Sequence, residues 1–164
     1  MHQIVRQILG RWQYSRERLI LVYGGDWQMR TRVLRMLAQS LGAEYISLGQ
    51  QVPQCLLNIP APSRPFQLPS ILQEIVALHL YLCLDHLEIL FQPELRFRPL
   101  EWLHQLARLR GVIAAWPGHI DPEQKKAWYA TPTHPDYREG ALQDLWLLEV
   151  PLLKGQLSLH LDSG

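Results

Sequence analysis

The chain has 164 residues, of which 48% are hydrophobic and 19% are charged, and its formal net charge is +1. This composition predicts one folded domain rather than a disordered chain, and it gives no global basic field of the kind that indicates nucleic-acid binding. The N-terminus lacks the apolar core of a signal peptide and no apolar run is long enough to span a membrane, so we expect a cytoplasmic protein without a membrane partner. The spacing of Cys55 and Cys83 fits neither a metal site nor a redox site.

The first part of the chain predicts helix, strand, helix and strand in that order. Apolar residues at helical spacing indicate an amphipathic helix over about residues 1–14, whose partner is either the domain's own sheet or another subunit. The continuous apolar run Leu19–Tyr23 predicts a buried strand. A helix that includes residues 32–38 should end at Gly42, and Glu44–Ser47 should form a short second strand.

The junction between the first strand and the next helix has the spacing of a phosphate-binding loop. The consensus is glycine, four residues, glycine, lysine, and then serine or threonine. Gly24 takes the first position and is followed by Gly25, while Thr31 supplies the hydroxyl. Met29 stands at the second glycine position and Arg30 replaces the lysine. Because such a turn directs backbone N–H groups at an anion, the phosphate-binding candidates are Gly24, Gly25, Arg30 and Thr31, with ATP as the candidate ligand.

Two of these positions depart from the consensus. A side chain at position 29 would cost about 1 kcal/mol or more in the conformation that glycine takes, so Met29 predicts a loop of different shape. Arg30 is larger than lysine and forked, although it can still bind phosphate. Trp27 adds bulk where backbone should face a phosphate. A hydrolysing site, nucleotide binding without fast hydrolysis, and a loop that has lost its ligand all remain open, and we expect little or no ATP hydrolysis.

The middle of the chain predicts two helices, a proline-punctuated loop and a strand. Residues 50–59 can form a short helix if Pro53 falls in its first turn. Four prolines between positions 60 and 69 predict a surface loop. Residues 69–78 have the apolar spacing of a helix, and residues 80–84 form an apolar run that predicts the third strand.

Asp85 follows the third strand and is a candidate metal ligand. A carboxylate at the end of a buried strand can hold the Mg²⁺ that bridges nucleotide phosphates, with Thr31 as a second contact. Glu88 comes three residues later and could polarise a water, which makes it the candidate catalytic residue. In the alternative interpretation, Asp85 caps the following turn and Glu88 is simply solvated.

The last third of the chain predicts further alternation of helix and strand. We expect helices over residues 99–109 and 121–128, strands over 112–116 and 145–150, and a C-terminal edge strand over about 152–161. Alternating strands and helices predict an α/β three-layer sandwich with a five-stranded, mainly parallel sheet. The first strand should be central, with the third and fourth beside it.

Four arginines form a local basic cluster after the third strand. This cluster could contact DNA or an acidic partner, although a solvated helix face is the commoner explanation. Its members are Arg96, Arg98, Arg108 and Arg110.

Several segments together carry a family resemblance. The most specific are Ala-Ala-Trp-Pro-Gly at 114–118 and His-Pro-Asp-Tyr-Arg at 134–138, and the others lie at 64–69, 82–91 and 99–103. They resemble the BrxF family, which comprises small P-loop proteins of BREX bacteriophage-defence systems. The resemblance extends from about residue 18 to residue 150. It implies a P-loop NTPase-like, AAA+-related domain over residues 1–164 that acts with other BREX defence proteins.

The resemblance carries some site residues over and not others. Gly24 and Thr31 match the family's phosphate loop, Arg30 matches only as a substitute for lysine, and position 29 does not match. Asp85 and Glu88 match the segment that corresponds to Walker B.

The sequence therefore predicts an accessory subunit of a BREX-type complex that binds nucleotide weakly or not at all and acts through protein assembly. One alternative is an active Mg²⁺-dependent ATPase of that system, and another is a DNA-binding accessory subunit. A homo-oligomer also fits the resemblance.

Overall fold

The computed structural model describes residues 3–130, 138–142, 145–150 and 158–161. Its helices are α1 (Gln3–Trp12), α2 (Trp27–Leu41), α3 (Leu48–Leu56), α4 (Arg64–Val76) and α5 (Pro99–Ala107). Its strands are β1 (Leu19–Tyr23), β2 (Glu44–Ser47), β3 (Tyr81–Asp85), β4 (Gly111–Ala115), β5 (His119–Asp121), β6 (Lys126–Tyr129), β7 (Arg138–Ala141), β8 (Trp146–Glu149) and β9 (Ser158–Leu161). Single 3₁₀ turns cover Ala61–Ser63, Leu87–Phe91 and Pro93–Leu95.

The main sheet has the strand order β2-β3-β4-β1-β8-β9. The first five strands of this order are parallel, and β9 runs antiparallel to β8 at the edge. This confirms the α/β class and the five parallel strands. The fourth strand does lie beside β1, but the third does not, because β4 separates β3 from β1. An apolar run shows that a strand is internal without specifying its neighbours.

Helices cover both faces of the sheet, as a three-layer sandwich requires. Successive residues of β1 point to opposite faces. Ile20 and Val22 pack with α1 and α2, whereas Leu19 and Leu21 pack with α3, α4 and α5. Trp12 of α1 is fully buried in the first of these layers. The amphipathic N-terminal helix therefore packs on the sheet of its own domain.

The predicted helix over residues 121–128 is wrong, because this segment forms a β-hairpin. Strands β5 and β6 pair in antiparallel fashion, and β7 extends them to a second, small sheet. Asp121 Oδ1 accepts the backbone N–H groups of Glu123 and Gln124, at 3.0 and 3.2 Å, and Lys125 takes a positive φ of 54°. This local turn chemistry competes with a helix and here reverses the chain.

Prolines limit the two middle helices less than the sequence predicts. Helix α3 begins at Leu48, so Pro53 lies in its second turn and not in the first. Helix α4 begins at Arg64 and includes Pro69 in its interior, although we expected residues 60–69 to form a loop. A proline inside a helix costs about 3 kcal/mol. Complete burial of Leu68 and Leu72, on the same helix, offsets this cost.

The C-terminal predictions are only partly covered by the described residues. The predicted strand over 145–150 is β8, which pairs with β1. Of the predicted edge strand over 152–161, residues 158–161 form β9, and residues 151–157 lie outside the described part. Residues 131–137, which include most of the His-Pro-Asp-Tyr-Arg segment at 134–138, also lie outside it. Among the helices that the structure describes, none has the length and apolar character needed to cross a bilayer.

Candidate functional site

The loop after β1 lies at the carboxyl edge of the parallel sheet, where ligands bind in open α/β folds. Gly24 and Gly25 both take left-handed backbone conformations, with φ of 82° and 56°. A Cβ atom on Gly24 would lie 2.9 Å from the backbone oxygen of Val150. Gly24 is therefore needed both for its backbone conformation and for the close approach of the chain that leaves β8.

Helix α2 begins directly after these glycines. Asp26 is its N-cap, and Asp26 Oδ1 accepts the backbone N–H of Met29 at 2.8 Å. Met29 lies in the first helical turn and does not take a positive φ. The early start of the helix thus removes the strain that a side chain at the second glycine position would cause, and the loop itself is short.

Arg30 folds back onto this loop. Its Nη1 atom donates to the backbone oxygen of Gly24 at 2.9 Å and to that of Gly25 at 3.1 Å. Because C=O and N–H point in opposite directions across a trans peptide, the amides that follow these two carbonyls point away from the guanidinium. The loop therefore presents carbonyl oxygens, rather than N–H groups, to the side chain at the lysine position.

Three carboxylates act electrostatically on the Arg30 guanidinium. Burial lowers the pKa of Arg30, and the negative charges of Glu88, Asp85 and Asp26 oppose this shift. Three carboxylates thus act on the one guanidinium of Arg30, and we expect this balance to disfavour a phosphate group at the loop, although a second guanidinium, that of Arg35, lies 4.3 Å from the ring centre of Tyr45.

Asp85 is buried at the end of β3 and its carboxylate has several donors. Its side chain accepts the hydroxyls of Thr31 and Tyr45, both at 2.6 Å from Oδ2, and Oδ1 accepts the backbone N–H of His86 at 2.9 Å. Asp85 is only 3% exposed. Burial, followed by the hydrogen bond and charge of Asp85, raises the pKa of Tyr45 to about 12. The structure thus brings Thr31 and Asp85 together, which is the pair that the sequence assigns to Mg²⁺.

Glu88 and His86 lie on the chain that leaves β3. Glu88 is partly exposed in the 3₁₀ turn Leu87–Phe91 and is close enough to Arg30 to act on it electrostatically. Its catalytic role stays a prediction. His86 takes a left-handed conformation, and its ring centre lies 5.7 Å from that of Trp27. Trp27 is 54% exposed, so an aromatic ring stands beside the loop.

Three of the predicted basic residues are engaged with different partners. Arg98 pairs with Glu101 at 3.2 Å, and Arg108 Nε donates to Glu17 at 3.1 Å. Arg110 Nη2 instead donates to a backbone oxygen at the end of α4. The fourth, Arg96, ends a 3₁₀ turn with a φ of 49°.

Two of these arginines line a cavity of about 700 Å³. Arg98 and Arg108 line it together with acidic residues, among them Glu17 and Glu101, and Arg110 does not line it. His104 Nδ1 lies 2.6 Å from Glu17 inside this lining. Arg98 and Arg108 therefore share the lining of one cavity with acidic residues, and a role of the four arginines in binding DNA or a partner stays a prediction. This cavity has no lining residue in common with the loop after β1.

Sequence reasoning missed Asp26 and Tyr45. Asp26 carries a readable signal, because aspartate directly before a helical pattern is a common N-cap. Tyr45 carries none, since its contact with Asp85 depends on β2 lying beside β3. Within the described ranges, no group of three or more His, Cys, Asp or Glu side chains is placed to hold a metal ion.

Comparisons of the chain with models of known protein families, with curated proteins and with solved structures give no match. The fold and site define a three-layer α/β domain with a glycine turn and a buried, hydrogen-bonded aspartate at the carboxyl edge of its sheet.

Proposed function

We propose that this chain is an accessory subunit of a BREX-type phage-defence complex, built on a P-loop-type domain that binds nucleotide weakly or not at all. The resemblance of its segments to the BrxF family supports the pathway. The glycine turn between β1 and α2 and the contact of Thr31 with Asp85 support descent from a phosphate-binding loop. The contacts of Arg30 support loss of ligand. The subunit then acts through protein assembly.

The observation that carries the weak-binding proposal is the pair of hydrogen bonds from Arg30 to the carbonyls of Gly24 and Gly25. A phosphate loop works because N–H groups and a helix N-terminus converge on the anion. Here Arg30 binds the loop itself, and the carboxylate of Asp26 caps the helix start. A phosphate would have to displace the Arg30 guanidinium from the loop and approach the negative charge of Asp26.

An active ATPase is the second candidate, and the bond between Thr31 and Asp85 favours it. Mg²⁺ in nucleotide sites is commonly held by one or two carboxylates together with substrate phosphates and water. Thr31 and Asp85 would hold such an ion brought in by nucleotide, and the ion would supply positive charge that partly neutralises the phosphates. Asp85 Oδ2 would first have to exchange the hydroxyl hydrogen bonds of Thr31 and Tyr45 for the ion.

The first experiment measures ATP and ADP binding by calorimetry and by thermal shift, with and without Mg²⁺. A ligand that binds only the folded state raises the free energy of unfolding by an amount that grows with the logarithm of ligand concentration once this concentration exceeds Kd. We expect no shift for the natural chain at micromolar nucleotide. Asp26→Ser keeps an N-cap and removes the charge, so it should bind nucleotide several-fold more tightly. Glu74→Gln, an exposed change on α4, is the matched control and should have no effect.

Two outcomes would reject the weak-binding proposal. If the natural chain binds nucleotide tightly and Arg30→Ala abolishes this binding, then Arg30 is a phosphate ligand. Mg²⁺-dependent phosphate release that Asp85→Ala abolishes would establish the ATPase.

The assembly role is tested in cells that carry a BREX system together with this chain. We expect the tagged chain to co-purify with other BREX proteins, and its deletion to reduce protection against phage. Arg30→Ala should retain protection because the role does not need nucleotide. Full protection without the chain, combined with no co-purification, would contradict the proposed pathway.

A further inference from the structure

Exposed leucines cluster at the amino edge of the sheet, opposite the loop after β1. The loops that lead into β3 and β4 carry Leu78, Leu80 and Leu109, which are 93%, 72% and 75% exposed. Scattered exposed leucines are common, but several on adjacent loops are typical of an interaction site.

The sheet itself places these loops side by side. Tyr81 and Gly111 are partners in the register of β3 and β4, and the backbone N–H of Gly111 donates to the oxygen of Leu80 at 2.9 Å. The two loops border a shallow depression of about 340 Å³. Its lining is Ala77, Leu78, His79, Leu80, Leu109 and Arg110.

Two arginines are fixed beside these leucines by backbone carbonyls. Arg18 Nη2 donates to the oxygen of Leu109, and Arg110 Nη2 donates to the oxygen of Ala77, both at 3.3 Å. In the described part of the chain, no carboxylate lies within ion-pair distance of Arg18 or Arg110. Each guanidinium has further N–H donors in a fork that matches a carboxylate. These hydrogen bonds orient both side chains, and no carboxylate of the described residues neutralises their charges.

We propose that this amino-edge surface, formed by Leu78, Leu80, Leu109, Arg18 and Arg110, docks a partner-protein segment that carries apolar side chains next to Asp or Glu. The leucines would bury the apolar side chains, and the two arginines would pair with the carboxylates. Charge complementarity of this kind fixes register and selects partners more than it adds affinity. Such a surface is where the accessory role would act, but its chemistry does not depend on nucleotide or on the BREX assignment.

The same features argue against other occupants. A nucleic-acid backbone would use the arginines but would leave the leucines without apolar partners. A second copy docked through this surface in two-fold symmetry would bring no carboxylate of the surface to Arg18 or Arg110, because the same five residues would form both sides. An acidic, leucine-containing segment satisfies both kinds of side chain.

The test uses fluorescence anisotropy with the full chain and three synthetic peptides. The first is a soluble amphipathic peptide with leucines at helical spacing and glutamates beside them. In the second, lysines replace the glutamates, and in the third, alanines replace the leucines. Only the first should bind the natural chain.

Single substitutions then locate the binding surface. Leu109→Ala and Arg110→Ala should each weaken binding of the first peptide by about tenfold. Leu57→Ala and Arg98→Ala are the controls, because Leu57 is 73% exposed elsewhere and Arg98 lies on the other cavity. Neither control should change binding.

Several results would overturn the proposal. The first peptide could fail to bind, or the control variants could weaken its binding as much as the surface variants do. Short duplex DNA could bind in a way that depends on Arg110 and not on Leu109. Sedimentation could also show self-association that Leu109→Ala abolishes. Because none of these readouts involves nucleotide, failure here is distinguishable from failure of the proposed function.

Discussion

Substituting Gly24 with alanine separates backbone strain from steric crowding, because Gly42 provides a matched control. Both glycines take left-handed conformations, with φ of 82° and 65°. Alanine in the left-handed region costs about 1–2 kcal/mol of backbone strain at either position. A Cβ on Gly42 meets nothing within 4 Å, whereas a Cβ on Gly24 would lie 2.9 Å from the backbone oxygen of Val150.

Val150 cannot move away freely from an alanine at position 24. Its backbone N–H donates to the oxygen of Tyr23 at 2.7 Å, so a shift would weaken the pairing that follows β1 and β8. Crowding of this kind adds about 1–3 kcal/mol. Gly24→Ala should therefore lose about 2–5 kcal/mol of unfolding free energy, and Gly42→Ala only the strain.

Equilibrium unfolding in urea measures both variants against the natural chain. The loss of unfolded-chain entropy is the same for each glycine-to-alanine change, so it cancels in the comparison. Equal losses of unfolding free energy in the two variants would show that Val150 moves away from the added methyl group at no energetic cost. The steric account of Gly24 would then be wrong.

Two further predictions concern pH. Burial, and then the hydrogen bond and charge of Asp85, raises the pKa of Tyr45 from its ordinary value of 10.0 to about 12. The neutral hydroxyl therefore stabilises the fold below pH 10, and this contribution is lost as pH rises towards 12. Unfolding free energy should fall over that interval in the natural chain and less in Tyr45→Phe, and equal falls would contradict this. For Glu17, burial acts to raise the pKa, but hydrogen bonds and charges from His104 and Arg108 together lower it below 4.5. The ionised Glu17 carboxylate therefore stabilises the fold above pH 4.5, and this contribution is lost as pH falls through the lower pKa of the folded state. Acid unfolding should depend less on pH in Glu17→Gln than in the natural chain. An unchanged pH dependence would refute this role of Glu17.

The sequence predicts the parallel sheet well because its strands are buried on both faces. Every residue of β1 and β4 is buried, so an uninterrupted apolar run marks each of them. The small sheet gives no such signal. Residues 121–126 are mostly polar, and only the turn chemistry at Asp121 distinguishes a hairpin from a helix there. Proline rules also fail in α4, because burial of Leu68 and Leu72 is decided by tertiary packing.

The candidate site is predictable in its positions but not in its hydrogen bonds. Thr31 and Asp85 both lie at the carboxyl edge of the parallel sheet, so the sequence predicts that they share this edge, although it does not predict that β4 lies between β1 and β3. The direction of the Arg30 side chain cannot be predicted in this way, because it depends on where the carbonyls of Gly24 and Gly25 point. A motif records residue types, whereas this loop is set by the earlier start of α2 at Trp27.

The two edges of the sheet differ in what a ligand must displace. At the carboxyl edge, Arg30 is bonded to the loop and Asp85 to two hydroxyls, so an incoming phosphate or cation has to break bonds that already exist. At the amino edge, Leu80 and Leu109 are exposed, so a partner that covers them gains apolar burial without breaking a contact of this kind. Binding is favoured where less reorganisation is required. The proposed weak nucleotide binding at one edge is therefore compatible with the proposed docking of a partner protein at the other.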